Sequence, residues 1–363
     1  MCLCRAVNWT HEQSENLGMS QHPDQLGFEW LDKSLDDAPA AVPKRSAKRA
    51  SSKPAPTALT PEQMAQLLDA SPDYKVLRRL EPVEQFPPAP AGSELRRVAI
   101  LDTETTGLSH ETDRLIELAV VVVDVDVATG QPVGSVQVFD GLEDPGRPIS
   151  AEITQLTGIR NEDVSGQSLD EAALADAMAG VSWVVAHNAG FDRPFVEARL
   201  PKPFASLPWA CSFADLDWKA LGHGSAKLEA LAADAGLFYA AHRADIDCHA
   251  LLTVLRQKQD QQHGGTLLKT LWLASQATQY KLSAVGAPFE TKDTLKARGY
   301  RWDTQARVWS TKLTSLEALA QERAWLSQAV YANPKAPIRI ETQGAVDRYA
   351  KREGEVVMEP LLG

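Results

Sequence analysis

The sequence predicts an α/β protein, and three observations predict it. Strand-like stretches come first: a short apolar run at residues 98–101, a longer strand at 115–127 and an alternating one at 133–139. Helical patterns then interleave with a further apolar run at 181–186. Finally, residues 245–259 repeat apolar side chains at helical spacing, with Ile246, Ala250, Leu251, Val254 and Leu255 on one face. Strands followed by helices interleaved with strands describe an α/β domain of about 165 residues.

In chain order, residues 1–92 read as a largely disordered region. Residues 38–60 are rich in Ala, Pro, Ser, Lys and Arg, with no acid between Asp37 and Glu62. Five bases lie there (Lys44, Arg45, Lys48, Arg49, Lys53), the composition of a solvated linker. Thr60-Pro61-Glu62 then supplies an N-cap, a first-position proline and an early acid for a short helix through Met64, Leu67 and Leu68. Met19 serves as a start as well as Met1 does. Order is expected from near Arg96, and the α/β domain occupies 93–262. Its strands are those four stretches, and its helices fall near 152–156, 169–179, 193–200, 226–235 and 245–259. A small α+β module at 278–332 follows: a strand at 282–289, a helix at 292–298, a hairpin pairing Tyr300-Arg301-Trp302 with Val308-Trp309-Ser310, and a helix at 315–331. Residues 333–363 read as a flexible tail.

Composition bounds the function. The chain has 363 residues, with 37 Lys+Arg against 48 Asp+Glu, a formal charge of −11. Its longest apolar run, 118–123, falls far short of the ~20 residues that cross a bilayer, so no membrane partner is expected. The N-terminus lacks a basic segment leading into an apolar core, and four cysteines are too few for a disulfide framework. A cytoplasmic, reduced protein is the expectation. Cys211 and Cys248 read as small buried hydrophobes, and Cys2 and Cys4 receive no role. The acidic balance argues against a general nucleic-acid coat. It is unevenly distributed, however: residues 95–260 hold 13 bases and 25 acids, the rest 24 and 23.

Chemistry concentrates in three segments. Asp102-Thr103-Glu104-Thr105-Thr106-Gly107-Leu108 follows the first apolar run directly. Carboxylates two apart on a strand share a face, so Asp102 and Glu104 converge, and so close a pair repels unless a cation lies between. Hard oxygen donors suit Mg²⁺ or Mn²⁺. His187-Asn188-Ala189-Gly190-Phe191-Asp192 follows the fourth strand; taken alone, Asp192 reads first as a helix cap, a role Asn188 could also fill. In His242-Arg243-Ala244-Asp245-Ile246-Asp247, Asp247 falls in the first turn of the long helix, where an acid also stabilises the helix dipole.

Together and in this order, the three segments resemble the DEDDh family of 3′–5′ exonucleases, which includes the polymerase III proofreading subunit, exonuclease X and ribonuclease T. The match spans about residues 97–255. The first motif, Asp-x-Glu, is Asp102 and Glu104; the second, Asn-x-x-Phe-Asp, is Asn188, Phe191 and Asp192; in the third, four residues separate His242 from Asp247. The resemblance implies a ribonuclease-H-like fold with a central mixed five-stranded sheet flanked by helices. It implies two divalent cations, Mg²⁺ or Mn²⁺, held by Asp102, Glu104, Asp192 and Asp247, with His242 as general base. Leu108 matches a position that wedges between terminal bases, although a turn-capping hydrophobe reads equally well there. Thr105 matches one whose amide meets the 3′-hydroxyl.

The implied activity is metal-dependent removal of nucleoside monophosphates from the 3′ end of single-stranded or frayed DNA, in proofreading or repair. The alternatives are an exoribonuclease on short RNA or tRNA ends, and a degenerate nuclease fold kept as a replication or repair scaffold. A polymerase or a sliding clamp is the protein partner to consider; Gln25-Leu26-Gly27-Phe28 loosely resembles a clamp-binding peptide. The C-terminal unit resembles a short module appended to bacterial DNA-processing proteins, Pro-Phe…Lys-Asp…Gly-x-x-Trp-Asp…Trp. Between Lys281 and Lys312 it holds seven bases and three acids, interleaved with Phe289, Tyr300, Trp302 and Trp309. Its aromatics read mostly as its own core, and its basic rim as an accessory nucleic-acid grip.

Overall fold

The computed structural model describes residues 59–258, 264–304 and 306–361. Cys2, Cys4, the Gln25–Phe28 peptide, both candidate starts and the basic cluster Lys44–Lys53 lie outside the described residues. Helix α1 (Pro61–Asp69) begins at Thr60, whose hydroxyl accepts the Gln63 amide while the Gln63 side chain accepts the Thr60 amide.

The central sheet is built from β1 (Leu95–Thr105), β2 (Leu115–Asp126), β3 (Pro132–Leu142), β4 (Trp183–Ala186) and β5 (Trp209–Cys211). Its spatial order is β3-β2-β1-β4-β5. The first three strands form an antiparallel meander, and β4 and β5 add in parallel. Alternation along β1 sends Val98 and Ile100 to one face, and Ala99 and Leu101 to the other. The first face packs under helices α4 (Ala244–Leu255) and α5 (Leu267–Gln276), through Leu251, Val254, Leu255, Leu268 and Leu271. The second is covered by α2 (Ala189–Arg199), through Ala189, Phe195 and Val196. A further helix, α3 (Leu228–Asp234), joins the first cluster through Leu231 and Ala232. Covered on both faces, β2 and β4 are buried almost throughout, whereas β3 alternates. Each fully buried Val, Ile or Leu contributes about 1.5–3 kcal/mol.

Three elements differ from expectation. Strand β5 is three residues long, too short to leave a periodic signal. Helix α2 begins at Ala189, ahead of the expected 193, because Asn188 takes a left-handed conformation (φ 79°) that turns the chain from strand directly into helix. Residues 78–92 are not free of the domain: Arg78 and Arg79 pair with Leu237 and Phe238, and Leu80 and Phe86 are buried in the first core cluster.

The C-terminal unit is larger than expected. Strands β6 (Gln279–Ala284), β7 (Arg301–Asp303), β8 (Val308–Leu313), β9 (Pro337–Gln343) and β10 (Glu355–Pro360) form an antiparallel sheet in the order β10-β9-β6-β8-β7. Helices α6 (Lys292–Arg298) and α7 (Leu316–Ala329) accompany it. Residues 333–363, expected as a tail, therefore contribute two strands. Ile338 and Ile340 are buried in this unit's core, and Leu361 closes over it. Expected as core, the aromatics divide instead: Tyr300 is buried, whereas Phe289 and Trp302 are exposed.

The β9–β10 loop reaches back to the central sheet. The Trp209 amide at the β5 edge donates to Ala345 O at 2.9 Å. Fully buried Arg193, from α2, donates to Arg348 O at 2.7 Å and Val346 O at 2.8 Å, and pairs with Glu197. Buried Arg348 pairs in turn with Asp215 and donates to Ala274 O at 3.1 Å. Every side-chain nitrogen of Arg193 donates, whereas buried Arg348 Nε has no hydrogen-bond partner among the described residues. No helix among the described residues is long and apolar enough to cross a membrane.

Candidate active site

The site sits where β1 ends. Asp102 and Glu104 share the strand parity of Val98 and Ile100, so they face α4, which carries Asp247 in its first turn. Carboxylate oxygens of Asp102, Glu104 and Asp247 all lie within 4.8 Å of one another. Thr103 has the opposite parity, towards α2, and its hydroxyl donates to Asp192 Oδ1 at 2.8 Å. Both partners are buried. Asp192 stands in the first turn of α2, and Asn188 makes no side-chain capping bond, so neither caps that helix in the way their positions first suggest.

Asp247 is held from two sides. Tyr239 Oη donates to its Oδ1 at 3.0 Å, and the backbone amides of His242 and Arg243 donate to its Oδ2 at 2.8 and 3.2 Å. His242 adopts a left-handed backbone (φ 66°), which aims its amide at Asp247 and leaves its imidazole exposed. His187, five residues before Asp192, is different in kind. Its ring is enclosed between Ser212 Oγ at 2.8 Å and Ala226 O at 2.9 Å, and burial pushes its pKa down to about 4. It is a neutral structural imidazole.

Electrostatics single out the carboxylates. Burial, then the charges of Asp192, Asp247 and Glu104, hold Asp102 well above the usual carboxylate range. Burial and the charges of Asp247, Glu117 and Asp192 raise Glu104 to about 8. Burial raises Asp192 to about 7 against the opposing Thr103 hydrogen bond, and it raises Asp247 too. Crowded oxygens whose ionisation is suppressed by mutual repulsion and lost hydration are a donor set that a divalent cation relieves. The residues present fit such a cation.

A neighbouring acidic group, Glu117, Asp140 and Asp245, was not read from the sequence. Glu117 is fully buried and already engaged: Arg243 donates to its Oε1 through Nε (3.0 Å) and Nη2 (2.7 Å), and the Ala244 amide donates to its Oε2 (3.0 Å). It anchors the start of α4 and hence Asp247. A lone acid inside the apolar run Leu115-Ile116-Glu117-Leu118 was the available signal. Thr103 and Tyr239, likewise missed, position Asp192 and Asp247.

Beyond the carboxylates, Leu108 is 87% exposed at the tip of the 105–114 loop, so it caps no turn. Loop shape depends on Gly107, where a Cβ would lie 2.6 Å from the Asp113 carboxylate carbon. Leu108, Asn188 and Phe191 line one cavity of about 190 Å³ together with Lys351. Thr105 is absent from that lining; its hydroxyl donates to Gly107 O at 2.6 Å.

Residues 99–255 match the RNase T family of exonucleases. Among curated relatives, a PolC-type DNA polymerase III of Latilactobacillus sakei is 41% identical over 107 residues, which cover 29% of this chain and 7% of that one. The 3′-5′ exonuclease DinG of Bacillus subtilis is 34% identical over 116 residues, covering 31% of this chain and 12% of its own length. DNA polymerase III subunit epsilon of Treponema pallidum is 30% identical over 174 residues, covering 45% of this chain and 78% of the relative. The chain thus spans only a small part of the PolC-type polymerases but most of the epsilon subunit. A mixed β3-β2-β1-β4-β5 sheet, acids at the end of β1 and first-turn acids on α2 and α4 accompany that similarity, and the chain belongs to the DEDDh exonuclease family.

Proposed function

We propose that the protein is a metal-dependent 3′–5′ exonuclease that removes nucleoside monophosphates from single-stranded or frayed DNA ends. One observation carries the reading: three carboxylates from β1 and α4 bring oxygens within 4.8 Å of one another, with a fourth, Asp192, adjacent. Asp102, Glu104, Asp192 and Asp247 would hold two divalent cations, Mg²⁺ or Mn²⁺. When bound, such cations acidify an attacking water and stabilise the departing 3′ oxygen.

The chain's own groups supply the rest. His242, exposed beside Asp247, takes the proton of the attacking water as general base. Thr103, Tyr239 and the Glu117–Arg243 pair keep the carboxylates aimed. Leu108, Asn188 and Phe191 receive the terminal nucleotide, which must leave its stack to enter. DNA is the proposed substrate because the PolC-type and epsilon relatives are named as parts of DNA polymerase III. The 3′–5′ direction follows the name of the DinG relative. Association with a polymerase rests on those same relatives and is tested by co-purification.

The enzymatic test uses 5′-labelled DNA and RNA oligomers of one sequence, side by side, with Mg²⁺, Mn²⁺ or chelator. Stepwise shortening of DNA from the 3′ end, abolished by chelator, is expected. Faster RNA shortening would transfer the reading to an exoribonuclease. Intact oligomers under every metal would reject it.

A further inference from the structure

We propose that the groove between the C-terminal sheet and the β9–β10 loop carries the phosphate backbone of the substrate strand, upstream of the 3′ end held in the active site. The proposal rests on the exonuclease reading for its direction, although the groove's chemistry stands apart from it.

The groove encloses about 650 Å³ and is lined by six bases and three acids. The acids are already matched. Arg339 lies 3.6 Å from Glu341 and 2.6 Å from Glu353, and Lys281 lies 3.9 Å from Asp303. Arg352 pairs outside the groove, with Glu197 at 3.0 Å. Arg307, Lys312 and Lys351 remain, and none has a carboxylate within ion-pair distance among the described residues. These three unneutralised cations line one concave surface, the arrangement that binds successive phosphates. Burial and the positive charges of Arg348 and Lys281 push the Lys312 pKa down, with Asp215 opposing them. An anion in the groove would relieve that strain. Tyr349 supplies an aromatic wall, with Lys312 Nζ 5.6 Å from its ring centroid.

Two features join the groove to the chemistry. Lys351 lines both the groove and the smaller cavity formed by Leu108, Asn188 and Phe191. Tyr349 abuts the second motif, since a Cβ at Gly190 would lie 3.8 Å from its ring. The join is rigid. Tyr349 Oη donates to Asp215 at 2.5 Å, and Arg193 and Arg348 lock the same loop onto α2 and β5. A strand whose 3′ end passes Leu108 therefore meets Lys351 next, and beyond it Lys312 and Arg307. Folding this unit against the nuclease accounts for a feature otherwise odd in an acidic domain: the cations that grip the polyanion come from the other sheet.

The test uses the full chain. Fluorescence anisotropy compares labelled oligothymidylates of about 16 and about 3 nucleotides over a salt series, with Ca²⁺ in place of Mg²⁺. In the wild type the long oligomer should bind tighter, with a steeper salt slope. In R307Q/K312Q its affinity should fall about tenfold and its slope should lose about 1.4, the share of two single-strand phosphate contacts. R307K/K312R should restore both, which separates a charge effect from a folding defect. Equal binding of the two lengths, or a long-oligomer slope unchanged in R307Q/K312Q, overturns the proposal. Polyglutamate competing as well as oligothymidylate overturns it too, by showing that the groove reads charge without a strand. Slope loss in a protein that shortens no oligomer with Mg²⁺ or Mn²⁺ would leave the groove standing and remove the exonuclease reading.

Discussion

Thr103 donates its hydroxyl to Asp192 across the end of the sheet, joining the strand that carries Asp102 and Glu104 to the helix that carries the fourth acid. The bond opposes the effect of burial on Asp192, which would otherwise hold the proton more tightly still. Replacing Thr103 by Val keeps the shape and removes the donor. Such a change should cost about 1–3 kcal/mol of stability, since a buried acceptor loses its partner. Cation affinity should fall with it, and Thr103→Ser should recover both. Thermal melts with and without Mg²⁺ check the pair of expectations.

Burial, then the charges of Asp192, Asp247, Glu104 and Glu117, disfavour an ionised Asp102. Asp102→Asn should abolish nucleotide release, by about a thousandfold or more, while raising the melting temperature of the cation-free protein. Activity falls because a cation ligand is lost, and stability rises because a buried carboxyl crowded by other acids is removed. A variant that loses activity and stability together would show that Asp102 has another, structural role.

His242 reaches Asp247 through its backbone amide rather than its ring. His242→Asn, which tolerates the left-handed backbone, should therefore leave stability and cation affinity near wild type. Rate should fall about 10²–10⁴-fold, the range for losing a general base. An unaltered rate rejects the assignment.

The cation-free protein should become less stable as pH rises from about 5 to 8. Glu104, held at about 8, and Asp192, held at about 7, keep protons in the fold that the unfolded chain releases near 4. The native state then binds more protons, so the slope of stability with pH is negative across that window. Cation affinity should climb through the same window, as the ligands lose the protons that compete with metal. Melting curves and calorimetric titrations with Mg²⁺ at several pH values measure both.

Removing residues 279–363 should not yield a healthy nuclease. Arg193 would keep its charge inside while losing Val346 O and Arg348 O, and Asp215 would lose Arg348. A penalty of about 3–5 kcal/mol is expected for stripping partners from a buried charge. Limited proteolysis and melting of the truncated chain check this. The same reasoning makes point variants, rather than truncation, the way to examine the C-terminal groove.

Legibility in the sequence followed the range of the interactions. The β1 carboxylate pair was visible because strand parity is local, and α4 because its apolar face repeats within the helix. The hairpin of β7 and β8 was likewise legible, its two strands being joined by a short turn. By contrast, β5 holds three residues and depends on its neighbours for definition, and α5 went unread beside a polar stretch. Residues 344–352 look like a polar tail in isolation because their hydrogen-bond partners lie on α2 and β5. Tyr239 gave no local sign of its reach to Asp247, and Thr103 none beyond its place between two acids.

The bond from Arg193 to the Arg348 carbonyl spans 155 residues, and that separation bears on how the protein is made. A ribosome delivers the three DEDDh motifs long before the loop that seals α2 and the outer edge of β5. Without that loop Arg193 lacks two carbonyl partners and the Trp209 amide on the β5 edge is unpaired, the kind of edge that invites pairing with other chains. Closing so long a loop is slow as well as late. A prematurely terminated product that ends before Val346 carries Asp102, Glu104, Asp192 and Asp247, yet lacks the Val346 and Arg348 carbonyls that accept from Arg193. A chain cut short before Val346 is therefore expected to be cleaved faster by added protease than one that extends past Arg348.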